Sequence, residues 1–122
     1  MSDPRATLQL EVATDPALLA TARLFAAAAA RVAGCDDDVV EDVRLAVSEA
    51  CARSIRGGGD GDRIAIDAHV SLRGVAFVVD GPSGPAADQD IDGLDLVAAL
   101  FPAASTSKDG SRTTVRFDAP AR

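Results

Sequence analysis

The sequence predicts an α+β fold in which helices cover one face of a mixed, mostly antiparallel β-sheet, giving a sandwich of two layers. The order of elements along the chain predicts this class: a strand, two helices, two strands, a loop, a short helix and two further strands. The length of 122 residues predicts a single domain over residues 1–122. Because the chain has four Phe and no Tyr or Trp, alanine and valine must supply most of its core.

The first strand and the two long helices are marked by their periodicity and their ends. Residues 7–13 alternate apolar and polar side chains with the period of a half-buried strand. The first helix begins at Asp15, a capping residue, with Pro16 in the first position. The second begins in the acidic stretch CDDD at 35–38 and stops at the glycine-rich run that starts at Gly57. The apolar face expected for the first helix consists of Leu18, Leu19, Ala22, Phe25, Ala26, Ala29 and Val32.

The second half of the chain predicts four strands, a loop and a short helix. Residues 63–72 and 74–80 predict two strands, and the second is so uniformly apolar that we expect both of its faces to be covered. Residues 81–92 are rich in Gly, Pro, Asp and Ala, which predicts a loop. Residues 93–101 predict a short helix, and residues 103–119 predict a hairpin with an Asp-Gly turn.

Composition excludes several classes of function. The net charge is −7 and no stretch gathers Lys and Arg, so we expect no direct contact with nucleic acid. The longest apolar run, residues 24–30, is far shorter than the roughly 20 residues that cross a bilayer, so we expect no membrane association. Cys35 and Cys51 lie about 24 Å apart along one helix, too far for a disulfide. A reduced, cytoplasmic protein is therefore expected.

One charged pair on the second helix is open to two interpretations. Glu49 and Arg53 lie four residues apart in VRLAVSEACARSIR, residues 43–56. Glu followed by Arg at this spacing is a favourable surface ion pair, worth about 0.3–0.5 kcal/mol. The other interpretation is that Glu49 is a functional carboxylate and that Arg53 has replaced its usual partner. The residues of this helix alone do not decide between the two.

Three segments together resemble one family. VRLAVSEACARSIR resembles the first nucleotide motif of the anti-sigma factor kinases of the RsbW/SpoIIAB type, within the histidine kinase-like (Bergerat or GHKL) ATPase fold. FVVDGPSG at 77–84 resembles the second motif, and GLDLVAAL at 93–100 with DGSRTTVRF at 109–117 resembles the lid end and closing hairpin. The resemblance implies a homodimer that sequesters an alternative sigma factor. Active members also phosphorylate a serine on an antagonist protein of the STAS type.

The first family motif is Glu-x-x-x-Asn, in which the glutamate is the catalytic base and the asparagine ligates Mg²⁺. The resemblance makes Glu49 the candidate base and puts Arg53 at the asparagine position. Arginine has only hydrogen-bond donors and cannot ligate a metal, so Mg²⁺ is doubtful. The guanidinium is then expected to stand in for the metal charge and to neutralise Glu49.

The remaining nucleotide contacts also follow from the resemblance. Asp80 and Gly84 match the adenine-side motif, although Asp80 could equally be a residue that ends a strand. Gly93 matches the lid helix that holds the phosphates, but acidic neighbours at Asp92 and Asp95 repel them. Thr113 matches the closing hairpin, where a β-branched strand residue needs no functional explanation. ATP or ADP binding is therefore expected to be weak.

The prediction of a partner-binding surface rests on a single residue. The resemblance aligns Arg23, on the first helix, with an arginine that grips the sigma factor; the alternative is an ordinary solvent-facing arginine. The prediction is an anti-sigma factor with weak or lost Mg-ATP binding. The alternatives are an active serine kinase, in which Arg53 contacts phosphate directly, and a partner-switching protein without enzymatic activity.

Overall fold

The α+β prediction is confirmed by the computed structural model, which describes residues 6–83 and 92–122. Strand β1 is followed by a short 3₁₀ turn and two helices, then by two strands, a third helix and a closing hairpin. The elements are β1 (Ala6–Ala13), the 3₁₀ turn (Pro16–Leu18), α1 (Leu19–Val32), α2 (Asp37–Gly57), β2 (Arg63–Ser71), β3 (Gly74–Pro82), α3 (Asp92–Leu100), β4 (Ser105–Asp109) and β5 (Arg112–Pro120).

The five strands form one sheet in the order β1-β2-β3-β5-β4, and every described pairing is antiparallel. The sheet is therefore not mixed. The apolar side chains of alternate residues in β2, β3 and β5 are buried against α1 and α2. Helix α3 packs on α2 in the same layer.

The start of α1 differs from the prediction by one turn. Asp15 accepts a hydrogen bond from the backbone N–H of Ala17 at 2.9 Å, as a cap should. The residues that follow form a 3₁₀ turn, and the α-helix begins at Leu19. Helix α2 begins with the expected acidic first turn and ends at Gly57.

The core consists mainly of small aliphatic side chains, as the composition predicts. Two stacked aromatic contacts join Phe77 and Phe101 to Phe117, and the rest of the core is largely Val, Ile and Ala. Five alanines of α1 are buried, whereas Val32, expected on the apolar face, is 67% exposed. Val32 lies at the edge of the helix face, since Ala29, Ala30 and Ala33 around it are buried. The buried alanines are Ala22, Ala26, Ala27, Ala29 and Ala30.

The expectation that both faces of β3 are covered is wrong. Phe77 and Val79 are fully buried beneath the helices, but Ala76 and Val78, on the opposite face, are only half-buried. Within the described part of the chain, the helices cover one face of the sheet. The apolar residues on the other face are shielded by the neighbouring strands alone.

Strand β3 continues two residues further than predicted, and this extension decides which face of the sheet its last side chains occupy. Gly81 pairs with Thr113 on β5, in register with the rest of the ladder. Because side chains alternate along a strand, position 81 faces the helices. A Cβ at Gly81 would lie 2.4 Å from Oγ of Ser54 on α2, so only glycine permits this approach.

We expect Gly81→Ala to lower the free energy of unfolding by about 1–3 kcal/mol, because α2 has to move away from β3. The backbone of Gly81 is not in the left-handed region, so the effect is steric. Gly59→Ala is the matched control, since a Cβ there has no atom within 4 Å. Urea unfolding of both variants measures the difference, and equal stability would show that α2 and β3 are less closely packed.

Candidate functional site

Helix α2 carries Glu49 and Arg53, but the two side chains have different environments. Glu49 is half-buried, whereas Arg53 is 5% exposed. None of the ion pairs between described residues joins them. Arg53 is therefore not part of a surface ion pair, and the expected neutralisation of Glu49 by its guanidinium is not observed.

The guanidinium of Arg53 has an unsatisfied donor. Its Nε is fully buried and has no hydrogen-bond partner in the described structure. A buried donor without a partner costs about 1–3 kcal/mol of stability. Arginine offers no lone pair to a metal, so this position does not fit Mg²⁺. Among the described residues, no group of three or more His, Cys, Asp or Glu is arranged to hold a metal ion.

Thr113 lies at the same end of the molecule as Arg53. It is the ladder partner of Gly81, and Gly81 lies against Ser54, the residue after Arg53. Thr113 is 2% exposed, and its Oγ1 also lacks a hydrogen-bond partner in the part of the chain described. The last turns of α2 thus cover the end of β3 and the start of β5, where two buried polar groups are unsatisfied.

Asp80 is not brought together with these residues. It precedes Gly81 and so lies on the outer face of the sheet, away from α2. Its Oδ1 accepts a hydrogen bond from Nε of Arg112 at 3.1 Å, and the same guanidinium donates to the backbone carbonyls of Arg63 and Asp80. Sequence analysis missed this pairing, because nothing in the sequence indicates which residues of β3 and β5 are opposite each other.

The lid-side residues are only partly described. Gly84 lies outside the described residues. Gly93 is the second residue of α3, within its first turn. Asp95 is exposed in the same turn. A carboxylate at a helix N-terminus occupies the region of positive potential that would otherwise favour phosphate.

Arg23 lies on the other side of α2. Its Nη1 donates a hydrogen bond to Oγ of Ser48 at 3.1 Å, which connects α1 to α2. The two helices enclose a cleft of about 320 Å³ in this region. Next to Arg23 on α1, Leu24 is 72% exposed, and Leu45 of α2 is 43% exposed. The cleft is lined by Arg23, Glu41, Asp42, Arg44, Leu45 and Ser48.

The two cysteines are buried and unpaired. Burial raises the pKa of the Cys51 thiol from 9.0 to about 12, and burial together with the charge of Asp36 raises the pKa of Cys35. A thiol that holds its proton is a poor nucleophile. Cys51 is therefore a small apolar residue of the core.

We expect the stability of the protein to fall as the pH rises above 9.0. The folded chain keeps the Cys51 proton up to about pH 12, whereas the unfolded chain releases it near 9.0. The free energy of unfolding should then fall by on the order of 1 kcal/mol per pH unit in this window. Urea titrations at several pH values measure this slope. Cys51→Ala should have a shallower slope, and an equal slope would show that Cys51 does not cause it.

We expect Arg53→Met to leave the free energy of unfolding unchanged or to raise it by about 1–2 kcal/mol, because it removes an unsatisfied donor from a buried position. Arg44→Met is the control for the loss of one positive charge from the same helix, since Arg44 is partly exposed and pairs with Glu41. Arg44→Met should change the free energy of unfolding by no more than about 0.5 kcal/mol. A large loss of stability in Arg53→Met would show that the guanidinium is well bonded.

Comparison with known proteins agrees with this architecture. Residues 12–117 match the model of the histidine kinase-like ATPase domain. The structure is similar to that of the RsbU and RsbW domains of Rv1364c from Mycobacterium tuberculosis, with a TM-score of 0.77 and 20% sequence identity. The similarity covers 98% of this chain and 34% of that one, so the chain spans about a third of the length of that protein.

No curated protein matches the sequence. No helix in the described ranges is both long enough and apolar enough to cross a membrane. The structural similarity establishes the fold, and the family model covers most of the sequence, including all three α-helices and all five strands in whole or in part. The chain therefore belongs to the histidine kinase-like ATPase family, the GHKL fold that its three motifs resemble.

Proposed function

We propose that the protein is a cytoplasmic anti-sigma factor, a homodimer that binds an alternative sigma factor and so represses transcription. In this proposal the chain retains the family scaffold but binds Mg-ATP weakly or not at all. The observation that carries it is the buried Arg53, which occupies the metal-ligand position of the family motif without a partner for its Nε.

The surroundings of Asp80 support the loss of nucleotide affinity. The carboxylate proposed for adenine recognition already accepts a hydrogen bond from Arg112, on the face of the sheet opposite α2. At the end of β3, the residue on the face of the sheet toward α2 is Gly81. A nucleotide bound against α2 would therefore meet a residue with no side-chain acceptor. On the adenine side the usual aspartate is present but is paired with Arg112, and on the metal side the usual asparagine is replaced by Arg53.

The surface between α1 and α2 supports the binding of a protein partner. Arg23 is held by Ser48 at the edge of the cleft, with its charge partly accessible. Leu24 and Leu45 expose apolar surface beside it. An arginine flanked by exposed leucines has the composition of an interaction surface, since arginine and apolar anchors contribute much of the energy of protein interfaces.

We expect Arg23→Glu to weaken binding of the cognate sigma factor by about tenfold or more, which is about 1.4 kcal/mol. Arg31→Glu is the matched control, because Arg31 is an exposed arginine in the last turn of the same helix. Calorimetry with sigma factors encoded near the gene measures both. The proposal fails if no sigma factor binds, or if the two variants bind equally well.

Leu24→Asp is a second variant that leaves the Arg23 hydrogen bond in place. Leu24 is so exposed that the substitution should not disturb folding, yet it removes an apolar contact from the proposed surface. Leu72→Asp is its control, at a leucine of similar exposure in the turn after β2. Only Leu24→Asp is expected to reduce binding.

The second candidate function is an active kinase that phosphorylates a STAS-type antagonist. The half-buried Glu49 favours it, because this carboxylate has no ion-pair partner among the described residues and remains available as a base. Arg53 would then contact phosphate directly. Phosphate transfer to an antagonist domain in the presence of Mg-ATP would favour this candidate, and its absence would exclude it.

We expect Arg53→Asn to raise the affinity for Mg-ATP by about tenfold or more if the metal ligand is the main loss. The amide oxygen of asparagine can bind Mg²⁺, whereas a guanidinium repels it. Titration of wild type and variant with ATP and Mg²⁺ measures the change. Unchanged affinity would mean that the adenine side, where Asp80 faces away, limits binding.

A further inference from the structure

We infer that the outer face of the sheet carries a binding site for a small organic anion with two carboxylate groups. The site is a cleft of about 730 Å³ beside the turn that joins β2 to β3. Clefts that bind small molecules in proteins commonly have volumes of about 300–1,000 Å³. Arg73, in the turn, and Arg116, on β5, bring positive charge to the lining of the cleft, and Asp118 brings negative charge.

The cleft has a low floor because an alanine lies between two longer side chains. His69 on β2, Ala76 on β3 and Asp118 on β5 are ladder partners and so form one row across three strands. Neighbouring strands are about 4.8 Å apart, so the backbones of His69 and Asp118 are about 10 Å apart, with only a methyl group between their side chains. This row is therefore a groove that fits an aliphatic chain.

The rim of the cleft at the β2–β3 turn is held in place by its backbone. The N–H of Arg73 donates to Oγ of Ser71 at 3.2 Å, and the carbonyl of Arg73 accepts from the N–H of Ala121 at 2.8 Å. Gly74 follows with a φ of 136°, and a Cβ there would overlap the carbonyl oxygen of Ala119. Only glycine lets the turn approach the end of β5 so closely.

The charge of the lining favours an anion. The side chain of Arg73 is exposed and forms no ion pair in the described part of the chain. Nη2 of Arg116 is 3.8 Å from Oδ1 of Asp118, which is too long for a hydrogen bond. Two guanidinium groups against one carboxylate make the lining positive, although the net charge of the chain is −7. Guanidinium groups bind carboxylates through pairs of charge-assisted hydrogen bonds.

The separation of the two arginines indicates a ligand with two carboxylates. Gly74, next to Arg73, is the ladder partner of Pro120, and Arg116 lies four residues before Pro120 on β5. Four residues of a strand span about 13 Å, so the two guanidinium groups reach the cleft from different ends. A ligand with a carboxylate at each end can pair with both arginines. A phosphate concentrates its charge on one group and pairs with one arginine at a time.

This cleft is separate from the nucleotide motifs. It lies on the face of the sheet away from α2, at the end of β3 that begins with Gly74. Gly81, which lies against α2, is at the other end of the strand, about 23 Å away. The inference therefore goes beyond the proposed function and does not depend on it.

The test is calorimetry of the whole protein with sodium glutarate, which has two carboxylates, at constant ionic strength and near neutral pH. Sodium butyrate, which is glutarate without one of its carboxylates, and sodium phosphate are the comparisons. Glutarate should bind saturably and about tenfold or more tightly than butyrate or phosphate. The thermal midpoint should rise with glutarate concentration.

Arg73→Gln and Arg116→Gln should each weaken glutarate binding by about tenfold or more, because each removes one guanidinium. Asp118→Asn should strengthen binding by about threefold, since it removes a carboxylate that repels the ligand. All three side chains are exposed, so these variants should fold as wild type does. Arg31→Gln, with the same change of net charge on α1, should bind as wild type does.

Ala76→Leu tests the groove without a change of charge. The larger side chain occupies the floor of the cleft, so glutarate binding should fall by about tenfold or more. Ala65→Leu is the matched control, because Ala65 is a half-buried alanine of β2 on the same face of the sheet and does not line the cleft.

The inference is overturned if wild type shows no saturable glutarate binding, if butyrate or phosphate binds as tightly as glutarate, or if Arg73→Gln and Ala76→Leu bind as wild type does. None of these measurements contains a nucleotide or a sigma factor, so their failure is distinct from a failure of the proposed function.

Discussion

The close approach of α2 to the end of β3 is the contact on which the candidate site depends. Ser54 lies where a side chain at position 81 would be, so glycine at that position lets the helix rest on the strand. The residue before Ser54 is Arg53, and the ladder partner of Gly81 is Thr113. This close contact holds the last turns of α2 against the end of β3, which is paired with β5.

The class of fold could be predicted from the sequence because every element has a local signal. The period-two pattern of the strands, the acidic start of α2 and the glycine run at its end depend only on neighbouring residues. The end of β3 could not be predicted in this way. Its last residues, Gly81 and Pro82, are typical of loops, and they stay in the strand because β5 pairs with them. This pairing is a tertiary effect that outweighs local preference.

The site was predicted less well, for two physical reasons. Arg53 and Glu49 have the spacing of a surface pair, but α2 is packed on several sides, so a position near the helix end becomes buried although its residue is charged. Asp80 lies in a segment that matches the family motif. Side chains alternate between the two faces of a strand, however, so a shift of one position changes the face on which a residue lies. The chain keeps the fold of its family, while the family's metal-ligand position is taken by a buried arginine that cannot bind a metal.

The buried alanines of α1 have a consequence for how the protein tolerates mutation. An alanine side chain loses no rotamer entropy on burial, so the α1 layer is ordered at little entropic cost. It also has only one methyl group to lose, so substitutions there create at most small cavities. Every substitution at Ala26, Ala29 or Ala30 other than glycine adds volume, and a closely packed helix layer accommodates added volume poorly. The exposed side of α1, which includes Leu24, has no such steric limit, so larger side chains can be placed there without disturbing the core.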